Sequence, residues 1–311
     1  MSSHDRTLFA GVDIGGTTTQ VVLCAEDLTV LDRAEVATPA TDGGQAMIDA
    51  AMGALVPLLK RTPGRLAGAG VGAAGVVDSA TGRILVASDS FTGWADFAVT
   101  DAVEKALGVP AFLDNDVNAF LYGEVSGGAV RGESDVLGMT LGTGVGGALW
   151  TGGALFTGPH GAAGEIGHIP GFGDLLCSCG GRGHLETLAS GRSIGARYAE
   201  RTGRRLTARE VAEAARYGDQ DALAVYGAAG AGIARAIVIT AGVVDITTVV
   251  VGGGVSRAWP LLEPLILASL AADPPVSGHP VRLVRAALAT DAVPVGAAAR
   301  ARRELTANVG V

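Results

Sequence analysis

The sequence predicts an α/β protein of two related halves with a cleft between them. Three observations predict it. A strand, a glycine turn and a second strand occur within residues 8–25, and the same succession recurs at 136–149. Each pair is followed by helical apolar spacing interleaved with further short strands, the pattern of sheets covered by helices. A chain of 311 residues is also long enough for two domains, each with its own core.

The first strand is LFAGVDI (8–14), and a GGT turn leads to TQVVLCA (19–25) and a third strand at Val30–Ala37. Residues 43–61 carry apolar positions at helical spacing and stop at Pro63-Gly64, a strong breaker. LAGAGVGAAGVVD (66–78) reads as a buried strand running into a glycine turn. A helix is expected from Asp96 to Leu107, then a strand at Pro110–Leu113 aimed at Asp114-Asn115-Asp116. In the second half, Val136–Leu141 is a strand, GTGVGG (142–147) the turn, and Ala148–Leu149 the start of the next strand. Residues 184–244 form a long helical section with a capping box at Thr207–Glu210, and TTVVVGGG (247–254) is a strand ending in glycines. Pro294 to Asn308 closes the chain as a helix. The boundary is expected near residue 117. Residues 1–117 make a smaller N-terminal domain joined by the C-terminal helix (294–311), and 118–293 make a larger one.

Composition excludes several classes. Apolar residues reach 48% and charged ones 17%, so disorder is not expected. With a formal net charge of -8 and scattered basic residues, the chain has no footprint for nucleic acid. Residues MSSHDRT offer no apolar core for a signal peptide. Ala222–Val244 is apolar enough to suggest a membrane span, but Arg235 inside it and Asp245 at its end favour a buried helix and no membrane. Three cysteines, two of them a single residue apart, suit a reducing cytoplasm.

Glycine is abundant, 48 of 311 against a usual ~7%. It clusters at the strand turns, where the missing Cβ lets backbone N–H groups approach a phosphate. Neither turn fits GxxxxGK[ST] or a GxGxxG that enters a helix. Two such hairpins with a third cluster at Gly252-Gly253-Gly254 resemble the actin, hexokinase and Hsp70 superfamily instead. That resemblance implies a two-domain actin-like ATPase with ribonuclease H-like halves. ATP is then gripped by Asp13, Gly15, Gly16, Thr17 and Thr18 in one loop and Gly142, Thr143 and Gly144 in the other, with Gly253 and Gly254 at the adenosine. Asp13 can hold Mg²⁺ directly or through water.

Phosphoryl transfer to a hydroxyl needs a carboxylate to take the proton, and Asp116 stands where one is wanted, after a strand and before a helix. Residue type alone leaves a second role open to Asp116, that of helix N-cap, which Asp114, Asn115 or Asn118 can share. Downstream, GAAGEIGHIPGFGDLLCSCGGRGHLE (161–186) contains His168, Cys177, Cys179 and His184, a Cys₂His₂ set of the kind zinc prefers, within residues 168–184. Glu165 and Glu186 flank that set and can accept hydrogen bonds from sugar hydroxyls.

With DIGGT, GVGAAGVVD, NDVNAFLYGE, LGTGVGG, GPHGAAGEIGH and CSCGGRGHLE in this order, the chain resembles the ROK family of bacterial sugar kinases from about residue 8 onward. The resemblance implies a sugar site of Gly75, Asn115, Asp116, Glu165, His168 and Glu186, with Asp116 as base for the 6-hydroxyl of a hexose. It also implies that His168 turns its other ring nitrogen to a structural Zn²⁺, linking the metal to the sugar. Glucose leads among substrates, because GVGAAGVVD resembles actinobacterial glucokinases, with N-acetylglucosamine and N-acetylmannosamine as alternatives and polyphosphate a less favoured donor.

Three positions depart from the family pattern. His184 replaces the last cysteine of CxCGxxGC, Thr18 replaces the lysine of GGTK, and SFTGW (90–94) replaces NLPGW. His184 is expected to keep the zinc. A sugar-sensing regulator is disfavoured because only seven residues precede the first strand, and a pseudokinase because Asn115-Asp116 and the metal set are intact. The family's habit suggests a homodimer or homotetramer.

Overall fold

In the computed structural model, which describes residues 6–307, β1 (Thr7–Ile14), β2 (Thr18–Ala25) and β3 (Val30–Ala37) run as an antiparallel meander. β1 is apolar and buried along nearly its whole length, whereas β3 exposes Arg33 and Glu35 in alternation, as an edge strand does. The helix α1 (Gly44–Arg61) buries Met47, Ile48, Ala51, Met52, Leu55 and Leu58, one face at steps of three and four. β4 (Arg65–Ala73) returns parallel to β1, and β5 (Val76–Asp78) with β6 (Arg83–Val86) form a small hairpin beyond it. α2 (Val99–Leu107) ends at Gly108 in the left-handed region, and β7 (Ala111–Asn115) adds parallel to β4. The sheet order is β3-β2-β1-β4-β7.

α3 (Asp116–Gly127) and the last helix, α9 (Ala292–Ala307), complete this unit. They sit at backbone contact. A Cβ on Gly11 would strike the Pro294 carbonyl, one on Gly70 the Ala297 carbonyl, one on Gly123 the Ala292 carbonyl, and one on Gly296 the Ala119 carbonyl. Glu124, fully buried on α3, holds the returning chain by accepting from the N–H groups of Ala129, Ala287 and Leu288.

The second unit repeats the plan. β8 (Val136–Leu141), β9 (Val145–Thr151) and β10 (Ala154–Phe156) are an antiparallel meander. Four helices follow, α4 (Glu186–Ala189), α5 (Gly191–Thr202), α6 (Ala208–Arg216) and α7 (Gln220–Val244). β11 (Thr248–Gly252) then pairs parallel to β8, and after α8 (Trp259–Ala272), β12 (Arg282–Arg285) pairs parallel to β11. The order β10-β9-β8-β11-β12 matches that of the first sheet, strand for strand. Met139, Leu141, Ile194, Tyr198, Val225, Tyr226, Ile233 and Leu262 form its core.

Among the described residues, the first unit takes 6–132, 157–162 and 287–307, and the second 133–156 and 163–286. The boundary expected near residue 117 therefore moves. Residues 118–132 stay with the first unit because α3 packs on α9. The second turn is shorter than expected, since Val145-Gly146-Gly147 already pair in β9, and the helical section 184–244 is broken into four helices. α2 begins at Val99 rather than Asp96, whose φ of 63° lies in the left-handed region. α7 is long and apolar enough to cross a membrane, yet it packs against α4, α5, α6 and α8 as the central helix of its unit. Its Arg235 lies over the Phe172 ring at 5.5 Å. Residues 1–5, read above for a signal peptide, and 308–311 at the end of the expected last helix lie outside the described residues.

A methyl group at the α3–α9 crossing has nowhere to go. Gly296→Ala is expected to cost about 2 kcal/mol or more and to shift the urea midpoint downward. A wild-type midpoint would show a looser crossing.

Candidate functional site

In the first unit the candidate residues gather where β1, β4 and β7 end. The β1–β2 turn closes with the Gly15 N–H donating to the Thr18 carbonyl at 3.2 Å, which leaves Gly16 and Thr17 exposed at the tip. Phe91 packs 3.4 Å from where a Gly16 Cβ would lie. Trp94, fully buried, stacks near Phe91 and Phe97 and donates from Nε1 to the Ala74 carbonyl at 3.3 Å. The SFTGW segment thus lies beside both the first glycine turn and Gly75.

Gly75 has φ +117°, and a Cβ there would strike the Val86 carbonyl, so the position requires glycine. Its carbonyl accepts from Asn115 Nδ2 at 2.9 Å. The other side of the Asn115 amide caps α3, accepting from the N–H groups of Val117 (2.8 Å) and Asn118 (3.3 Å). The N-cap of α3 is therefore Asn115, and Asp116 is the first helical residue. Behind them Asp114, almost wholly buried, accepts from Asn118 Nδ2 and the Asn115 N–H, both at 2.9 Å, and pairs with Arg300 of α9. Arg300 also donates to the Leu113 carbonyl at 3.0 Å. This buried, charge-assisted pair anchors the end of β7.

Asp13, at the end of β1, feels Asp116. Burial, and secondarily the charge of Asp116, push the Asp13 carboxyl up to about 7. The first loop and the candidate base are thus electrostatic neighbours.

In the second unit the β8–β9 turn is Gly142-Thr143-Gly144, closed by the Gly142 N–H donating to the Gly144 carbonyl at 2.9 Å. The Gly191 N–H, at the start of α5, donates to the Gly142 carbonyl at 2.8 Å. Gly253, with φ +85°, lies so close to the Leu141 backbone that a Cβ would overlap it. A cavity of about 890 Å³ opens here, lined by Gly142, Thr143, Gly191, Arg192, Arg209 and Gly254 among others. It brings together the second loop and the third glycine cluster. Gly195 and Ala199 line it too, one small-residue face of α5 at steps of four with Gly191. That spacing was readable in the sequence and was missed.

Glu165 and His168 are carried by a short turn strapped to β9. Cβ atoms on Gly147 and Gly167 would strike the Gly164 and Val145 carbonyls. Glu165 is exposed, whereas Glu186 at the start of α4 is buried and accepts from the Val145 N–H at 3.1 Å. The side chains of His168, Cys177, Cys179 and His184 form one cluster, each offering a ligand atom within 4.8 Å of the others. Nδ1 of His168 faces Cys177 Sγ at 3.8 Å, and Nδ1 of His184 faces Cys179 Sγ at 3.2 Å. Tetrahedral zinc with Zn–S of about 2.3 Å and Zn–N of about 2.1 Å places ligand atoms roughly 3.5 Å apart, so the donor set and its spacing fit that ion.

Two sheets of identical order, each opening with a glycine hairpin, define the actin-like ATPase fold. The chain belongs to the ROK family, whose model matches residues 9–304. It is 35% identical to a glucokinase of Halalkalibacterium halodurans over 277 residues, 83% of each chain. To an N-acetylmannosamine kinase of Escherichia coli it is 33% identical over 297 residues, 94% of this chain and 98% of the other. The crystal structure of a ROK family glucokinase from Streptomyces griseus, in complex with glucose and AMPPNP, superposes with a TM-score of 0.82 at 32% identity, covering 95% of this chain and 99% of that one.

The raised Asp13 pKa carries a sign. The native state holds a proton that the unfolded state, with an ordinary carboxyl near 3.8, releases earlier. Stability conferred below pH 4 is therefore lost as pH rises toward 7. Asp13→Asn removes this dependence, so its melting temperature relative to wild type should climb by roughly 3–8 °C between pH 4 and pH 8. A difference that does not change with pH would contradict the assignment.

Proposed function

We propose that this chain transfers the γ-phosphate of ATP to the 6-hydroxyl of a hexose, with glucose as the leading substrate. The observation that carries the reading is the Asn115–Asp116 step. Asn115 caps α3 through Oδ1 and donates one Nδ2 hydrogen to Gly75, which fixes Asp116 at the first helical position at the end of β7 and leaves a second amide hydrogen for substrate. Family membership and relatives named glucokinase at about 35% identity support sugar phosphorylation itself. N-acetylmannosamine is the second reading, because that relative aligns over 98% of its length.

In this reading Asp116 accepts the proton from the sugar 6-hydroxyl as its oxygen attacks the γ-phosphorus and ADP departs. Gly75, Asn115, Glu165, His168 and Glu186 hold the sugar's other hydroxyls. The turns at Gly15-Gly16-Thr17-Thr18 and Gly142-Thr143-Gly144 offer N–H groups to the phosphates, and Gly253-Gly254 receives the adenosine. Asp13 is the residue to hold Mg²⁺, which when bound neutralises phosphate charge. Thr18 closes the first turn through its backbone carbonyl, a role any side chain permits.

His168, Cys177, Cys179 and His184 hold a structural zinc. With Nδ1 of His168 on the metal side, Nε2 is left for a sugar hydroxyl. We assign the protein to a reducing cytoplasm, in keeping with three unpaired cysteines, and expect a homodimer or homotetramer by sedimentation.

Asp116→Asn should lower turnover about 10³-fold or more in a coupled assay with ATP, Mg²⁺ and a panel of hexoses, while glucose binding by calorimetry stays within about threefold. Turnover near wild type would give the proton to another group. Metal analysis should find about one zinc per chain, and less than half an equivalent would remove His184 from the ligand set.

A further inference from the structure

Ser178 stands between the two cysteines of the metal-ligand cluster, where zinc chemistry calls for no hydroxyl. Its Oγ nevertheless donates to Glu186 Oε1 at 2.6 Å. The other oxygen of that carboxylate, Oε2, accepts from the Val145 N–H at 3.1 Å, the first residue after the β8–β9 turn. A Cβ on Gly144 would lie 2.5 Å from Oε2, so the carboxylate is seated directly beneath the turn. Glu186 is buried. Cys177 Sγ also approaches Oε1, at 3.7 Å, a long contact whose proton metal ligation would remove. The Ser178 hydroxyl is therefore the strong donor on that oxygen, and the carboxylate is held in one orientation chiefly by Ser178 and Val145.

We infer that Ser178 is a positioning residue that, through Glu186, braces the second glycine turn against the metal-ligand cluster. Occupancy of the cluster then tunes how well the turn's N–H groups hold phosphate. Without the hydroxyl, Oε1 can rotate away, Oε2 leaves Val145, and the turn that its N–H helps shape is no longer held from below. The inference rests on the proposed nucleotide role of Gly142-Thr143-Gly144 and adds a path by which the metal reaches it.

The test uses the full chain as purified with zinc, and reads ADP affinity by calorimetry, zinc content and melting temperature. Ser178→Ala should keep its zinc, melt within about 2 °C of wild type and bind ADP about fivefold more weakly, while Ser178→Thr restores affinity. Chelating the zinc should weaken ADP binding about fivefold in wild type but less than about twofold in Ser178→Ala, where the brace is already cut. The KM for ATP should rise with the ADP dissociation constant. Wild-type ADP affinity in Ser178→Ala, or indifference of wild-type affinity to zinc, overturns this inference alone. Loss of zinc from Ser178→Ala would make the hydroxyl part of the metal site and overturn the positioning role. A wild-type protein that binds no ADP overturns the nucleotide reading together with it.

Discussion

The seating of α9 is the constraint on which the first unit depends. Four glycines, Gly11, Gly70, Gly123 and Gly296, let this helix meet β1, β4 and α3 at backbone distance, and a Cβ at any of them would strike a main-chain carbonyl. Close approach brings Arg300 onto Asp114, and Asp114 in turn fixes Asn118 and the Asn115 N–H. The candidate base thus takes its position from the far end of the chain. The same arrangement means that the first unit completes its core only after the second has been synthesised. Its stability and its chemistry share one contact surface.

The second unit solves a different problem, how to aim backbone N–H groups with few side chains. Glycines 142 and 144 shape a turn, Gly191 ties it to α5, and Glu186 holds it from beneath. The N–H groups of Gly142 and Val145 and the carbonyls of Gly142 and Gly144 have partners within the unit, which favours rigidity at the turn. In the first unit the balance differs, because burial, and secondarily the charge of Asp116, push the Asp13 carboxyl up to about 7. Electrostatic cost tolerated at one spot is a mark of a functional site.

Much of this was legible in the amino-acid sequence, for identifiable reasons. β3 and β8 fall on their expected spans, and β1 and β2 begin one residue earlier than expected. Glycine turns fix the ends of β1 and β8 and the start of β2, while β3 shows the alternation of an edge strand. Thr207–Glu210 forms the expected capping box, with both reciprocal hydrogen bonds present. Cys177, Cys179, His168 and His184 were readable as a ligand set from residue type, and the fold draws them together. The boundary was not legible, because α3 is assigned by its glycine contact with α9, a partner far away in sequence. Asn115 and Asp116 could not be told apart as cap and first helical residue, since either side chain suits a cap. The Ser178–Glu186 contact was equally hidden, because a serine between two cysteines announces nothing about a carboxylate in the next helix.

Transfer of phosphate from ATP to a hexose 6-hydroxyl is decided by phosphorus NMR of the reaction products. Incubation of the purified chain with ATP, Mg²⁺ and glucose should convert ATP to ADP with stoichiometric appearance of a sugar phosphate coupled to the two C6 protons. A phosphate on the anomeric carbon, or ADP formed with no sugar phosphate from any hexose or N-acetylhexosamine offered, would contradict the account.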